Sequence, residues 1–70
     1  MSFSTELRKR RRDKDISQPQ LAQKIGVGQS VVSMYERDAA KPTFEGLLKI
    51  AKVLECSVDD LVHDEVVVIN

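Results

Sequence analysis

Tryptophan is absent from this 70-residue chain, and aromatics are limited to two phenylalanines and one tyrosine, so its core must be aliphatic. Cysteine occurs once, at Cys56, which excludes an internal disulfide and suits a reducing compartment. Histidine also occurs once, at His63. Neither residue has a catalytic partner at a meaningful spacing, so the sequence gives no support to an enzyme. The same scarcity leaves no cluster with metal-ligand spacing, and neither a metal nor a cofactor is expected. No apolar run approaches the roughly 20 residues that span a bilayer, and no signal peptide opens the chain. The expectation is a soluble, cytoplasmic protein with no membrane partner.

An excess of charge of one sign is missing too. Eleven Lys and Arg balance eleven Asp and Glu, which taken as a total argues against a nucleic-acid partner. The distribution argues the other way. Residues 1–52 hold all eleven bases and six acids, a net +5, while residues 53–70 hold five acids and no base, a net −5. A molecule with a basic end and an acidic end can dock one face on phosphates and hold the other away from them.

The stretch from Gln18 to Arg37, QPQLAQKIGVGQSVVSMYER, organises what is present. Leu21 and Ile25 are four apart, one face of a first helix. Val32 and Tyr35 are three apart, one face of a second. Ala22 suits a close approach between helices, Gly26 a tight turn, and Val27 can plug the gap beneath that turn. The outer face of the second helix, with Gln29, Ser30, Ser33 and Met34, is left uncommitted to a core. A small scaffold presenting a polar helix face is a reasonable nucleic-acid reader.

Around this stretch the sequence predicts three further helices. Ser4 is a good cap for a first helix running to about Lys14, with Phe3 and Leu7 as its apolar positions. Arg8, Lys9, Arg10, Arg11, Arg12 and Lys14 crowd its remaining surface, and the single sign of that run favours a phosphate-facing role for part of it. Asp15 falls where the chain turns through a left-handed conformation, a place Gly prefers and Asp tolerates. Ser17 and Gln20 match a capping box for helix 2, with Pro19 in its first turn. Gly28 is the cap of helix 3, weaker than Ser or Thr. Asp38 to Pro42 form a loop, and Thr43 caps helix 4, Phe44 to Leu54. Its expected core stripe is Phe44, Leu47, Leu48, Ala51 and Leu54. Ser57, with Asp60 three residues on, opens helix 5, whose apolar face is Val58, Leu61 and Val62. Cys56 is expected at a core position and His63 in solvent at the end of helix 5. The run Val66-Val67-Val68-Ile69 reads as a tail or as a strand that pairs with its copy in a dimer. The domain division is therefore residues 1–64 as one compact all-α domain and residues 65–70 as tail or dimerisation strand.

The segment SQPQLAQKIGVGQSVVSMYERDAAKPTFEGLLKIAKVLECSVDDL resembles the phage repressor and Cro type of helix-turn-helix domain, also called the xenobiotic-response-element family. The likeness extends over about residues 4–62. It includes the S-Q-x-x-L-A start, the G-V turn, the Q-S-V-V-S helix with Glu36, the proline after helix 3, and L-x-K-I-A-x-x-L before a short fifth helix. The resemblance implies a compact five-helix domain that binds a pseudo-palindromic operator in double-stranded DNA as a homodimer, with helix 3 in the major groove, and that represses or activates transcription in a phage or bacterial setting, in the cytoplasm at the nucleoid. It places base readers at Gln29, Ser30 and Met34, with Val31 and Ser33 as secondary candidates. Gln29 can pair with adenine N6 and N7, Ser30 can donate or accept, and Met34 can touch a thymine methyl.

Phosphate contacts are implied for Gln18, Gln23 and Lys41, with Arg10 and Arg37 as further candidates, and for backbone N–H groups at the starts of helices 2 and 4. Arg11 and Glu36 match two family positions that form a partly buried ion pair, a reading that competes with Arg11 on phosphate. Asp15 and Asp38 stand where the family often has Gly, and Gly28 where it usually has Ser or Thr. The competing function is an antitoxin-like or partner-binding module, with the acidic end and the valine run as the partner surface. The sequence gives no reason to expect a small-molecule ligand.

Overall fold

The computed structural model of the chain describes residues 3–62, and among these all regular structure is helical. Five helices follow one another: α1 Phe3–Asp13, α2 Gln18–Ile25, α3 Gln29–Glu36, α4 Phe44–Leu54 and α5 Val58–Val62. Sequence-level boundaries and observed ones agree to within the residue or two by which helix ends are defined.

Local chemistry explains most of these ends. Ser17 accepts from the Gln20 backbone N–H at 3.2 Å, and the Gln20 side chain accepts from the Ser17 backbone N–H at 2.8 Å, closing the capping box of α2. Gly26 ends that helix at φ +79, a left-handed conformation that side chains with a Cβ resist. Thr43 caps α4 by accepting from the Gly46 N–H at 3.2 Å. Ser57 and Asp60 satisfy each other's backbone N–H at 2.9 and 3.0 Å, an acidic capping box opening α5. The cap of α3 is Gly28, which supplies no side-chain acceptor. Asp15 and Asp38 adopt φ of +59 and +62, as their correspondence to Gly positions implies. Glu55 also ends α4 in the left-handed region, at φ +56, and its residue type gives no warning of this.

One fully buried aliphatic side chain from each helix meets at the centre: Leu7, Leu21, Val32, Ile50 and Leu61. Phe3, Ala22, Ile25, Ala51 and Leu54 complete the core. Ile16, Val27, Tyr35, Leu47, Val53, Cys56, Val58 and Val62 are packed against it, partly buried. Phe3 meets the Tyr35 ring edge-on at 6.4 Å.

Two expectations are corrected here. Ser4 is not a cap: it lies inside α1, buried, because the helix already includes Phe3. The core stripe of α4 is rotated from the expected one. Ile50 is wholly buried, whereas Phe44 and Leu48 stay 67% and 49% exposed. Seven apolar positions on an eleven-residue helix are more than one contact face can bury, and the core takes the face centred on Ile50 and Leu54. Cys56 is half-buried at the core's edge, and burial pushes its thiol pKa up. His63 and the Val66–Ile69 run lie outside the described residues.

Candidate nucleic-acid interface

The geometry of the α2–α3 pair is set from the inside outward. Leu21, Ala22 and Ile25 turn one face of α2 into the core, and Val32 does the same for α3. The opposite face of α3 is thereby forced outward. Gln29 and Ser30, in its first turn, are exposed; Val31, Ser33 and Met34 are half-buried along the same helix. α3 therefore carries its polar side chains on an outward ridge over an aliphatic base.

Behind that ridge lies a buried ion pair. Arg11 donates through Nε to Glu36 Oε2 at 2.5 Å and through Nη2 to Glu36 Oε1 at 3.1 Å, a fork that joins α1 to α3. Its Nη1 donates to the Ile16 carbonyl at 2.8 Å. Arg11 is 9% exposed and Glu36 4%, so this arginine is committed to the scaffold and does not present its charge to a ligand. Burial opposes ionisation of Glu36, but the hydrogen bonds from Arg11 and Gln18, together with the Arg11 charge, hold its carboxyl below the ordinary carboxylate range.

Gln18 extends the network to the surface. Its Nε2 donates to Glu36 Oε1 at 3.0 Å, and its Oε1 accepts from Gln29 Nε2 at 3.5 Å, the outer limit of a hydrogen bond. The first side chain of α2 and the first of α3 are thus tied, through Glu36, to an arginine on α1. A sequence reading gives Gln18 a phosphate role only; its link between Glu36 and Gln29 needs the two helices placed in space.

The remaining candidates divide. Gln23 is exposed on α2, aimed away from the core. Lys41 is exposed in the loop before α4 and pairs with Asp38 at 3.2 Å. Arg37 lies at the C-terminal end of α3 and donates to Ser33 Oγ at 3.3 Å. Arg10 is drawn along α1 to Glu6 at 3.1 Å, on a helix edge near Cys56 and Asp60 of the acidic end. With Arg11 on Glu36 and Lys14 on Glu55 at 2.7 Å, three of the six basic residues from Arg8 to Lys14 are held by acids within the chain. Arg10 thus stands apart from the α2–α3 pair, where Gln18 reaches Gln29 and the exposed Ser30 follows it on α3.

Among the described residues no helix is long and apolar enough to cross a membrane, and no group of His, Cys, Asp and Glu is arranged to hold a metal ion.

Comparison with known proteins gives the same shape. Residues 7–61 match the helix-turn-helix family. The transcriptional repressor RstR of the cryptic phage CTXphi in Vibrio cholerae is 34% identical over 62 residues, 89% of this chain and 56% of RstR. The P22 c2 repressor, solved in complex with a synthetic operator, superposes with a TM-score of 0.85 at 34% identity, over 89% of this chain and 94% of that one. The biofilm master regulator SinR, solved in complex with DNA, superposes at 0.79 with 33% identity, over 84% and 95% of the two chains. The chain spans about half the length of the curated relatives it matches over most of its own.

Proposed function

The chain belongs to the helix-turn-helix family, in its Cro/C1-type branch, and from that premise we propose that it is a sequence-specific, double-stranded DNA-binding regulator of transcription, acting as a repressor and binding a two-fold symmetric operator as a homodimer. The observation that carries this reading is the outward ridge of α3, with Gln29 and Ser30 exposed at its start and Gln29 in reach of Gln18. A helix that enters the major groove by its N-terminal turn presents its first side chains to base edges. Gln29, Ser30 and Met34 are the readers, with Val31 and Ser33 beside them.

Gln18, Gln23 and Lys41 are the phosphate ligands, joined by Arg37 and by the first-turn N–H groups of α2 and α4. Lys41 leaves Asp38 for a phosphate at little loss, because an exposed pair of this kind is worth at most about 1 kcal/mol. Arg10 is the weakest of the sequence candidates, since Glu6 and the neighbouring acidic groups already hold its charge. No catalytic step, cofactor or small-molecule ligand enters the reading, and its setting is the cytoplasm, at the nucleoid. The likeness to an operator-bound repressor and a DNA-bound regulator favours it over a partner-binding module.

The test is selection from random duplex DNA by the purified protein at two salt concentrations. The expected result is enrichment of a site with two-fold symmetry and half-sites about 10 base pairs apart, with affinity falling steeply as salt rises. Absence of enrichment at both salts overturns the reading.

A further inference from the structure

α4 presents an apolar patch that the other described residues leave uncovered. Phe44 and Leu48, four residues apart, lie one above the other on the outer side of the helix, 67% and 49% exposed. Glu45 and Lys52 border the patch, both exposed, and neither makes an ion pair among the described residues. By contrast, the exposed Lys14 and Lys41 each reach an acid within the chain. Glu45 and Lys52 are separated by roughly 10 Å along the helix axis, too far to satisfy each other.

We propose that this face pairs with the same face of a second copy, the two α4 helices running antiparallel about a two-fold axis beside Leu48. The proposal rests on the homodimer reading above and names its surface. Such an axis sets a residue before Leu48 in one copy opposite a residue equally far after Leu48 in the other. Glu45 lies about 4.5 Å before Leu48 along the helix, and Lys52 about 6 Å after it, on the same flank. Each Glu45 therefore meets the second copy's Lys52, and the pair forms twice. Leu48 meets Leu48 at the axis, and each Phe44 covers the second copy's Leu48. A parallel pairing brings equal heights together and sets each acid level with its own copy, which loses the complementarity. The paired face includes none of the α3 side chains assigned above to base reading.

Two sets of variants test it, each checked for native helicity by circular dichroism. In a Cys56→Ser background, Leu48→Cys is expected to form a disulfide-linked dimer under mild oxidation, whereas Lys24→Cys on α2 is not. By sedimentation, Leu48→Asp is expected to weaken self-association about a hundredfold. Glu45→Lys and Lys52→Glu are each expected to weaken it about tenfold, and the double reversal to restore it, since attraction becomes repulsion in the single changes only. Removal of residues 65–70 is expected to leave self-association in place. The proposal is overturned if Leu48→Asp self-associates as the parent does, if the double reversal is no better than the single changes, or if truncation alone abolishes the dimer. Operator binding by the same variants is read separately. A protein that dimerises elsewhere and still selects a two-fold site loses only this interface, while one that pairs through α4 and selects no DNA keeps the interface and loses the regulator reading.

Discussion

Removing Arg11 is the sharpest test of how the scaffold is held. In Arg11→Met the Glu36 carboxylate, 4% exposed, loses both guanidinium hydrogen bonds and keeps only the Gln18 amide; the Ile16 carbonyl loses a donor as well. Stranding one partner of a buried pair costs about 3–5 kcal/mol. A chain of this size has a total stability of roughly 4–10 kcal/mol, so the variant lies near the edge of unfolding at neutral pH. Urea titration followed by circular dichroism measures the change at pH 7 and again near pH 4.

The two proteins should respond to acid in opposite directions. In the parent, the Glu36 pKa is depressed on folding, so its contribution is fully present above the unfolded-state pKa of about 4.3 and is lost as pH falls through the lower folded value. In the variant, burial is no longer offset by the arginine, and the Glu36 pKa rises above the unfolded value. Protonation then relieves the stranded charge, so the deficit relative to the parent shrinks as pH falls. The double change Arg11→Met, Glu36→Met should recover most of the loss, because two matched apolar side chains leave no charge behind. A loss under about 1 kcal/mol at pH 7, or a deficit that grows on acidification, would refute this account of the pair.

Other perturbations separate scaffold from surface. Glu55→Gly should raise stability by about 0.5–1 kcal/mol in the same titration, since it relieves a left-handed residue at the end of α4 and gives up only the exposed contact with Lys14. A decrease would show that the Lys14 contact outweighs the backbone strain. Gln29→Ala should lower affinity for the selected operator by about 1–3 kcal/mol and relax the preference at one base position, measured by competition with single-base variants. Equal binding to all variants before and after the change removes Gln29 from the readers. Lys41→Ala should weaken binding evenly across sequences and reduce the magnitude of the salt slope by about 1, as loss of one phosphate contact requires. Thr43→Ala should reduce stability by about 1 kcal/mol through loss of the cap on the Gly46 N–H, and an unchanged denaturation midpoint would count against that cap.

What the sequence determined by itself is the local grammar of the chain. The capping box at Ser17 and Gln20, the proline in the first turn of α2, the stop at Gly26, the Thr43 cap and the Ser57–Asp60 pair each act within four residues, so residue type and spacing suffice to place α2, α4 and α5. The alternation of apolar positions turned α2 and α3 correctly and marked the outer side of α3 as free of core duties. The partnership of Arg11 with Glu36, twenty-five residues apart, came from family likeness and has no local signal.

Tertiary structure decided the rest. α4 has more apolar residues than one face can bury, and only its packing on α2 and α5 selects Ile50 over Phe44 and Leu48. The basic run from Arg8 to Lys14 looks uniform in sequence, yet beyond the local Glu6–Arg10 pair, Glu36 and Glu55 claim Arg11 and Lys14 because the fold brings those acids within reach. Glu55 takes a left-handed conformation because α5 must fold back onto α1, and closure of the core outweighs one unfavourable backbone angle. Gln18 joins Glu36 to Gln29 for the same reason: contacts across helices depend on distances that no spacing along the chain encodes.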